Sequence, residues 1–371
     1  MSQHHWRHRF GAVVVASALT TSLVVGGSTS AQAVSPSSPA GHGASWLADQ
    51  LNKKGLIHNG QFDFDDYGLT IDTAFALQEI GGHKKKVAKV RRALSKHVDN
   101  YTTGVDFGAD AVFAGAVAKL LVLAQNTGGG ARHFGGVNLV KRLNKRVIGS
   151  GPSKGRIQDK VDLTNAGPDT ANMFGQIFAA RGLLRAHSDK AHSVVKFLLT
   201  QQCGKGFFRL DFNADPDAAD QGCAKGDTPD TDVTALVVVE LTSVTQGHPA
   251  LKRALRDAVR WLKRHQKANG SFGGAGPTSA SNANSTGVAA YAARVAGKCG
   301  VARDAAGWLA KLQVKGSLSG TPLAGERGAV AYDRATFKTA QQSGIDQTTR
   351  DQWRRSSAQA APGLLALSRC G

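Results

Sequence analysis

The chain of 371 residues alternates two kinds of helical segment, and this alternation limits the folds open to it. One kind has an apolar stripe and outward charges, as at residues 46–51, 194–199, 258–263 and 306–311. The other is rich in alanine and aliphatic residues with few charges, as at residues 72–77, 111–124, 170–184, 234–239, 285–290 and 357–361. A helix that is apolar on nearly all sides must be buried, whereas a helix with one charged face lies at the surface.

The two kinds of segment form about six pairs, at a period of roughly 40 to 70 residues that is typical of helical repeats. Six buried inner helices inside six amphipathic outer helices predict an all-α domain, an (α/α)6 toroid, over residues 44–371. An irregular helical bundle is the alternative, and the regular alternation favours the toroid. Residues 34–43 are rich in Ser, Pro and Gly, which predicts a flexible leader.

A second repeated signature lies in the turns that follow outer helices. The pattern Gln-x3-Gly-x-Phe occurs at residues 202–208 and 266–272, with a shortened copy at 313–318. With Trp in place of Phe, this is the turn motif of the prenyltransferase/squalene-oxidase repeat superfamily, which the chain resembles over most of its length. The resemblance implies the toroid of terpenoid cyclases and protein prenyltransferases. It does not select a function, because relatives include cyclases, prenyltransferase subunits, cobalamin carriers and thioester domains.

The first 33 residues have the features of a secretory signal peptide. Arg7 and Arg9 precede an apolar run at residues 11–25, and Ala31-Gln32-Ala33 matches the small-x-small cleavage pattern. The run is short and contains Ser and Thr, which argues against a transmembrane anchor. We therefore expect a secreted protein, cleaved after Ala33.

The chain is strongly basic, and loss of the signal lowers its formal net charge from +19 to +17. Outside a cell, such a charge favours an anionic cell envelope as a partner. A solvated basic surface is the simpler interpretation. No nucleic-acid recognition motif is present and the basic residues are scattered over many helices, so a specific nucleic-acid partner is not expected.

Four cysteines remain after cleavage, and an even number in an oxidising compartment predicts two disulfides. Three pairings are open to four cysteines, and we favour Cys203–Cys223 and Cys299–Cys370. The first would close a local loop, and the second would tie the C-terminus to the body of the domain. A metal role is not favoured, because no two cysteines have the spacing of a ligand pair.

The segment Asp230-Thr231-Asp232-Val233-Thr234-Ala235 is similar to the Asp-x-Asp-Asp-Thr-Ala motif of class II terpenoid cyclases. The resemblance implies that Asp232 is the general acid that protonates an alkene and that Asp230 is its partner, although Val233 replaces the last Asp. The alternative is structural, because Asp at the start of an inner helix caps backbone amides. The copies at residues 72–74 and 169–171 are those expected of a cap common to all repeats.

A second acidic match, Asp63-Phe64-Asp65-Asp66, precedes the first inner helix. We interpret it as an acidic loop at the mouth of the toroid, where the inner helices begin. The ligand-binding residues predicted for this mouth are Asp63, Asp65, Asp66, Tyr67, Asp169 and Asn284.

Several enzyme classes are disfavoured. Cyclases line their cavities with aromatic rings that stabilise carbocations, and only 6% of these residues are aromatic. The sequence contains neither the zinc ligands of protein prenyltransferases, nor the thioester motif, nor the nucleophile elbow of α/β-hydrolases. A polysaccharide-active toroid would need an acid/base pair and aromatic sugar platforms, which the sequence does not assemble.

An acidic loop at residues 211–220 places oxygen ligands at alternate positions, as loops that bind Ca²⁺ do. Its candidate ligands are Asp211, Asn213, Asp215, Asp217 and Asp220. Pro216 stands where an EF-hand has Gly, and no Glu occupies the twelfth position, so the loop is not an EF-hand. Ca²⁺ is the one cofactor the sequence suggests, and a solvated acidic turn is the alternative.

These observations favour a non-catalytic function, in which the central cavity binds a hydrophobic or extended ligand, such as an isoprenoid-like molecule. The alternative is a class II terpenoid cyclase-like enzyme with Asp232 as proton donor.

Overall fold

The computed structural model describes residues 34–318 and 320–370, so the predicted signal peptide lies outside the described residues. The helices, in chain order, are α1 (Pro39–Asp49), α2 (Tyr67–Ile80), α3 (Lys84–Leu94), α4 (Val98–Thr102), α5 (Ala114–Asn126), α6 (Leu139–Asn144), α7 (Met173–Arg185), α8 (Ala191–Thr200), α9 (Thr231–Leu241), α10 (Pro249–His265), α11 (Ala283–Val295), α12 (Cys299–Ala310), α13 (Arg334–Ser343), α14 (Arg350–Leu364) and α15 (Ala366–Arg369). A short antiparallel hairpin pairs β1 (His58–Asn59) with β2 (Phe64–Asp65).

Six inner helices form a closed ring within the described residues. Helices α2, α5, α7, α9, α11 and α14 each contact the next, and α14 contacts α2. The outer helices α1, α3, α6, α8, α10 and α12 pack against the outside of this ring. The predicted (α/α)6 toroid is therefore confirmed.

Helix α10 shows why the outer helices lie outside. Its apolar residues recur every three or four positions, so they form one stripe along the helix. The stripe is buried, and it includes Leu251, Leu255, Ala258 and Leu262. Its lysines and arginines face solvent. Inner helix α9 is apolar on most sides and buries eight of its eleven residues, as the ring requires.

The repeated turn motif clamps neighbouring outer helices together. The side-chain amide of Gln202 donates to the carbonyl of Gly206, 3.0 Å away, and to that of Ala254 in α10, 2.9 Å away. Gly206 has a φ of +100°, and a Cβ there would lie 2.7 Å from the Asp257 carbonyl. The glycine therefore permits both the turn and the close approach of α10.

The third copy of this turn differs from its prediction. The Gln313 amide donates to the carbonyls of Gly328, at 3.1 Å, and of Pro39 in α1, at 2.8 Å. Gly328, with a φ of +101°, takes the place predicted for Gly316. The segment at residues 316–327 is inserted between the glutamine and its glycine, so the short spacing in the sequence was misleading. This clamp joins α12 to α1 and closes the outer layer.

The N-caps of the inner helices also correct the sequence analysis. Asp230 caps α9, as the structural alternative expected, because its side chain accepts from the Val233 N–H at 2.9 Å. Asp72 is not a cap, since α2 begins at Tyr67 and is capped by Asp66. Asp169 lies three residues before the cap of α7, which is Asn172. An Asp-Thr-Ala pattern therefore does not mark the same helical position in each repeat.

Both favoured disulfides are present. Cys203 is bonded to Cys223 and Cys299 to Cys370, each with Cα atoms 5.2 Å apart. The second bridge ties the first residue of α12 to the segment after α15. No helix in the described part of the chain is long and apolar enough to span a bilayer.

Candidate functional site

The inner ring encloses a cavity of about 780 Å³, and every inner helix contributes to its lining. Loop residues before α5 and α7 extend the wall at the end where these helices begin. The lining combines apolar and charged side chains; among them are Asp72, Phe75, Gln78, Glu79, Tyr101, Phe113, Lys119, Asp159, Phe174, Phe178, Arg181, Arg185, Asp232, Leu236, Glu240, Val288, Tyr291, Ala358 and Pro362.

Asp232 lies in the first turn of α9, at the end of the cavity where the inner helices begin. Its Oδ1 is buried and has no hydrogen-bond partner. Burial raises the pKa of this carboxyl to about 6; the charge of Asp230 adds to the rise, and the neighbouring Ser285 hydroxyl opposes it. Near neutral pH, the cavity therefore presents a carboxyl that can hold or release a proton.

The predicted partner of Asp232 has a structural role. Asp230 directs its carboxylate at the first turn of α9 as the N-cap, and it does not line the cavity. Burial raises its pKa, while hydrogen bonds from backbone amides oppose the rise. Asp232 and Asp230 thus lie close together, but only Asp232 faces the space a ligand would occupy.

The middle of the cavity combines an apolar wall with one half-buried ion pair. Phe75 of α2 stacks on Phe178 of α7, with ring centroids 6.1 Å apart. Asp72 and Lys119 form an ion pair at 2.7 Å. Burial is the largest influence and alone would lower the pKa of Lys119, but the charge and hydrogen bond of Asp72, together with Tyr101 and Asp66, outweigh it and the pKa is raised. Lys119 therefore stays charged.

The other end of the cavity carries a charged network. Arg181 pairs with Glu240 at 2.7 Å, and Glu79 accepts from the Tyr291 hydroxyl at 2.6 Å and from Arg294. Burial raises the pKa of Glu240, and Arg181 opposes the rise. Buried polar atoms without a partner remain here, the Oε1 of Gln78 and the Nε of Arg181.

The residues predicted for the cavity mouth lie around the starts of α2, α7 and α11, and none of the six lines the cavity. Asp63 and Asp65 pair with His58, at 3.4 and 3.1 Å. Asp66 caps α2 and forms an ion pair with Arg355. Their role in ligand binding stays a prediction.

The other three predicted mouth residues make different contacts. Tyr67 stacks on His97. Asp169 pairs with Arg156 at 3.3 Å. The Oδ1 of Asn284 in α11 is buried and has no partner, which leaves one hydrogen-bond acceptor unused.

Sequence reasoning missed most charged residues of the cavity. Lys119 is the only charged residue of α5, and Glu240 ends an apolar run in α9. A lone charge in an otherwise buried helix needs a partner or a cavity. A single charged residue in an apolar helix is therefore a sequence signal for the cavity, but it does not show which charges pair.

In the acidic loop at residues 211–220, carboxylate and amide oxygens bind backbone amides. Asn213 accepts from the Asp215 N–H at 3.0 Å, Asp215 from the Asp217 N–H at 2.9 Å, and Asp220 from the Gly222 N–H at 2.8 Å. Across the described residues, the only cluster of three metal-type side chains consists of Cys203, Cys223 and Asp227, and its sulfurs form a disulfide. Ca²⁺ binding here stays a prediction, which the melting temperature with and without Ca²⁺ would test.

Comparison with known proteins supports the fold. No family model and no curated protein matches the chain. A type II terpene cyclase from Scytonema, MstE, in complex with merosterolic acid A, superposes with a TM-score of 0.60 at 14% identity, covering 90% of this chain and 97% of the cyclase. An unsaturated glucuronyl hydrolase from Bacillus sp. GL1 superposes with a TM-score of 0.56 at 11% identity, covering 90% and 96%.

A protein from Actinoplanes superposes with a TM-score of 0.57 at 18% identity, covering 88% of this chain and 98% of that one. These similarities span nearly the whole of each neighbour, yet the identities are low. They show the fold and leave the chemistry open. The chain is thus an α/α toroid protein of the architecture shared by terpene cyclases and glycan-degrading hydrolases.

Proposed function

We propose that this protein is secreted and that its central cavity binds an elongated, largely apolar molecule with polar groups at its ends. The observation that carries the proposal is the arrangement of the cavity wall. Unpartnered polar atoms lie at both ends, on Asp232 at one and on Gln78 and Arg181 at the other. Ligand pockets typically combine an apolar lining with a few such polar groups.

Helix α9 sets the length of this ligand. Asp232 and Glu240, the partner of Arg181, are eight residues apart on one helix. At 1.5 Å per residue, their Cα atoms are about 12 Å apart along the axis. The side chains of Phe75, Phe178, Leu236 and Val288 lie on the cavity wall. A ligand with an apolar segment of about this length satisfies both ends.

Secretion is supported by the two disulfides, which persist in oxidising compartments. The predicted signal peptide and the predicted anionic envelope partner belong to the same proposal. Retention on the outside of a cell would fit the charge of +17 that remains after cleavage.

A second candidate function is acid catalysis on an isoprenoid-like substrate, and the raised pKa of Asp232 favours it specifically. A carboxyl with a pKa of about 6 remains partly protonated near neutral pH, as a general acid must. The similar fold of a type II terpene cyclase supports this candidate. Six aromatic side chains of the described residues line the cavity, which also fits this candidate. Against it, the cavity wall carries the ion pairs Asp72–Lys119 and Arg181–Glu240.

Obstruction of the cavity tests the binding proposal. Ala116 of α5 lines the cavity, so Ala116→Trp should abolish binding of a dansylated ten-carbon alkyl probe, followed by fluorescence. Ala268→Trp, at an exposed loop position, is the matched control and should bind as the wild type does. Equal binding by all three proteins would refute the cavity as the site.

Asp232→Asn separates the two candidate functions. The amide keeps the shape of the side chain but cannot supply the proton, so a carrier should retain the alkyl probe in this variant. An enzyme should bind a polyene substrate and lose its turnover, measured as product formation by mass spectrometry.

A further inference from the structure

A second cleft, outside the toroid cavity, is lined mainly by basic side chains. It has a volume of about 590 Å³ and lies between α6 and the strand-like segments around residues 112 and 160. Five of its eight lining residues are basic: Lys141, Arg142, Lys145, Arg146 and Lys160. The other three are Val112, Val137 and Asn138.

The cations of this cleft divide into two groups. Arg142 donates to Asp99 and to the Thr102 hydroxyl, both at 2.7 Å, and Lys160 is paired with Asp110. These two side chains are already partly neutralised. They therefore contribute mainly to the shape of the cleft.

The second group has no acidic partner. The side chains of Lys141, Lys145 and Arg146 pair with no carboxylate in the described part of the chain. Lys141 and Lys145 are exposed and Arg146 is half-buried. Three uncompensated positive charges around one concavity attract anions more strongly than the same charges spread over a convex surface, because the protein walls focus the field.

The backbone that carries these cations is well fixed. The amide of Gln158 donates to the Arg146 carbonyl at 2.8 Å, and Val112 and Lys160 exchange two hydrogen bonds of 3.0 and 2.9 Å. Asn138 caps α6 through the Lys141 N–H at 2.9 Å. The positive charges are thus presented on helix and ladder elements, so little order has to be gained when an anion binds.

We propose that this cleft binds a flexible, non-aromatic polyanion whose charges are phosphodiesters, as in a poly(glycerol phosphate) chain. The volume exceeds the need of one phosphate, and three unpaired cations match successive charges of a chain. No aromatic side chain lines the cleft. Because single-stranded nucleic acids gain affinity from base stacking on aromatic rings, the cleft favours a partner that it recognises through its phosphates alone.

Substitutions that remove the three unpaired positive charges test the cleft. Fluorescein-labelled poly(glycerol phosphate) of about ten units would be titrated by anisotropy into the mature protein and into the variant K141Q/K145Q/R146Q. At 50 mM salt we expect affinity to fall at least about tenfold. The slope of log K against log salt should become shallower by about 2, since each of the three lost phosphate contacts to a single chain releases about 0.7 of a counterion.

The matched control removes the same charge elsewhere. Lys252, Arg256 and Lys263 lie exposed on α10 and pair with no carboxylate in the described part of the chain. The variant K252Q/R256Q/K263Q should therefore weaken binding by less than about threefold. Circular dichroism confirms that each variant is folded. If K141Q/K145Q/R146Q does not fold, the single substitution K145E, at an exposed side chain, should likewise lower the affinity for the polymer.

Three results would overturn the proposal. In the first, the wild type does not bind the polymer. In the second, the two triple substitutions lower the affinity for the polymer equally, which would indicate diffuse attraction to the whole basic surface. In the third, a single-stranded oligonucleotide with the same number of phosphates would bind more tightly than the polymer, which would identify the cleft as a nucleic-acid site.

Discussion

Among single residues, Asp232 is strongly perturbed by its burial in the cavity wall. Its pKa is raised from 3.8 to about 6, so the native state holds this proton more tightly than the unfolded chain. The free energy of unfolding should therefore fall as pH rises from about 4 to about 6, by on the order of 2 to 3 kcal/mol from this carboxyl. The carboxyl contributes no further change above that range.

The Asp232→Asn variant isolates this contribution, because the amide does not titrate. We expect the variant and the wild type to have similar stability near pH 4, and the variant to be the more stable near pH 8. Urea denaturation at both pH values measures the difference. Identical pH dependence of the two proteins would show that the cavity does not perturb Asp232.

For single residues, the sequence was informative where a residue's role depends on its neighbours along the chain. It favoured both cysteine pairs and offered a cap as the alternative role of Asp230. It could not identify Arg181 as the partner of Glu240 or Lys119 as that of Asp72. These pairs join residues of neighbouring inner helices, and the pairing depends on how those helices are rotated in the ring.

Among the secondary-structure elements, α9 depends on its N-cap. Asp230→Ala removes the acceptor for the Val233 N–H and should lower the free energy of unfolding by about 1 kcal/mol. Asp230→Asn keeps an acceptor and should cost only a few tenths of that. Binding of the alkyl probe should be retained in both. Loss of probe binding in a folded Asp230→Asn variant would show that Asp230 contributes to ligand binding.

The turns between elements show the limit of spacing as a guide. The two full copies of the glutamine motif form the same clamp, as at Gln202 and Gln266. The third copy uses Gly328 because a segment is inserted after Gln313. A motif read at fixed spacing therefore finds the glutamine and misses its glycine.

For the molecule as a whole, the two disulfides should contribute unequally. Cys203–Cys223 spans 20 residues and Cys299–Cys370 spans 71. On the chain-entropy model, removal of the shorter link costs about 3 kcal/mol and removal of the longer about 4 kcal/mol. The melting temperature of Cys299→Ala/Cys370→Ala should thus fall further than that of Cys203→Ala/Cys223→Ala. The reverse order would show that local strain dominates over chain entropy.

The whole architecture was predictable because periodicity reports burial over many residues at once. Alternating amphipathic and apolar helices imply two concentric layers, and closure of the ring follows from the number of pairs. The side chains that line the cavity were not predictable. It depends on which face of each inner helix turns inward, and apolar helices give little signal of that face.

The central claim is that the cavity binds a ligand. The most direct test compares the native and denatured masses of the mature protein, purified from the medium of its own host. The claim predicts an added mass in the native protein that is lost on denaturation and is absent from Ala116→Trp. Equal native and denatured masses, or an added mass that Ala116→Trp retains, would contradict it.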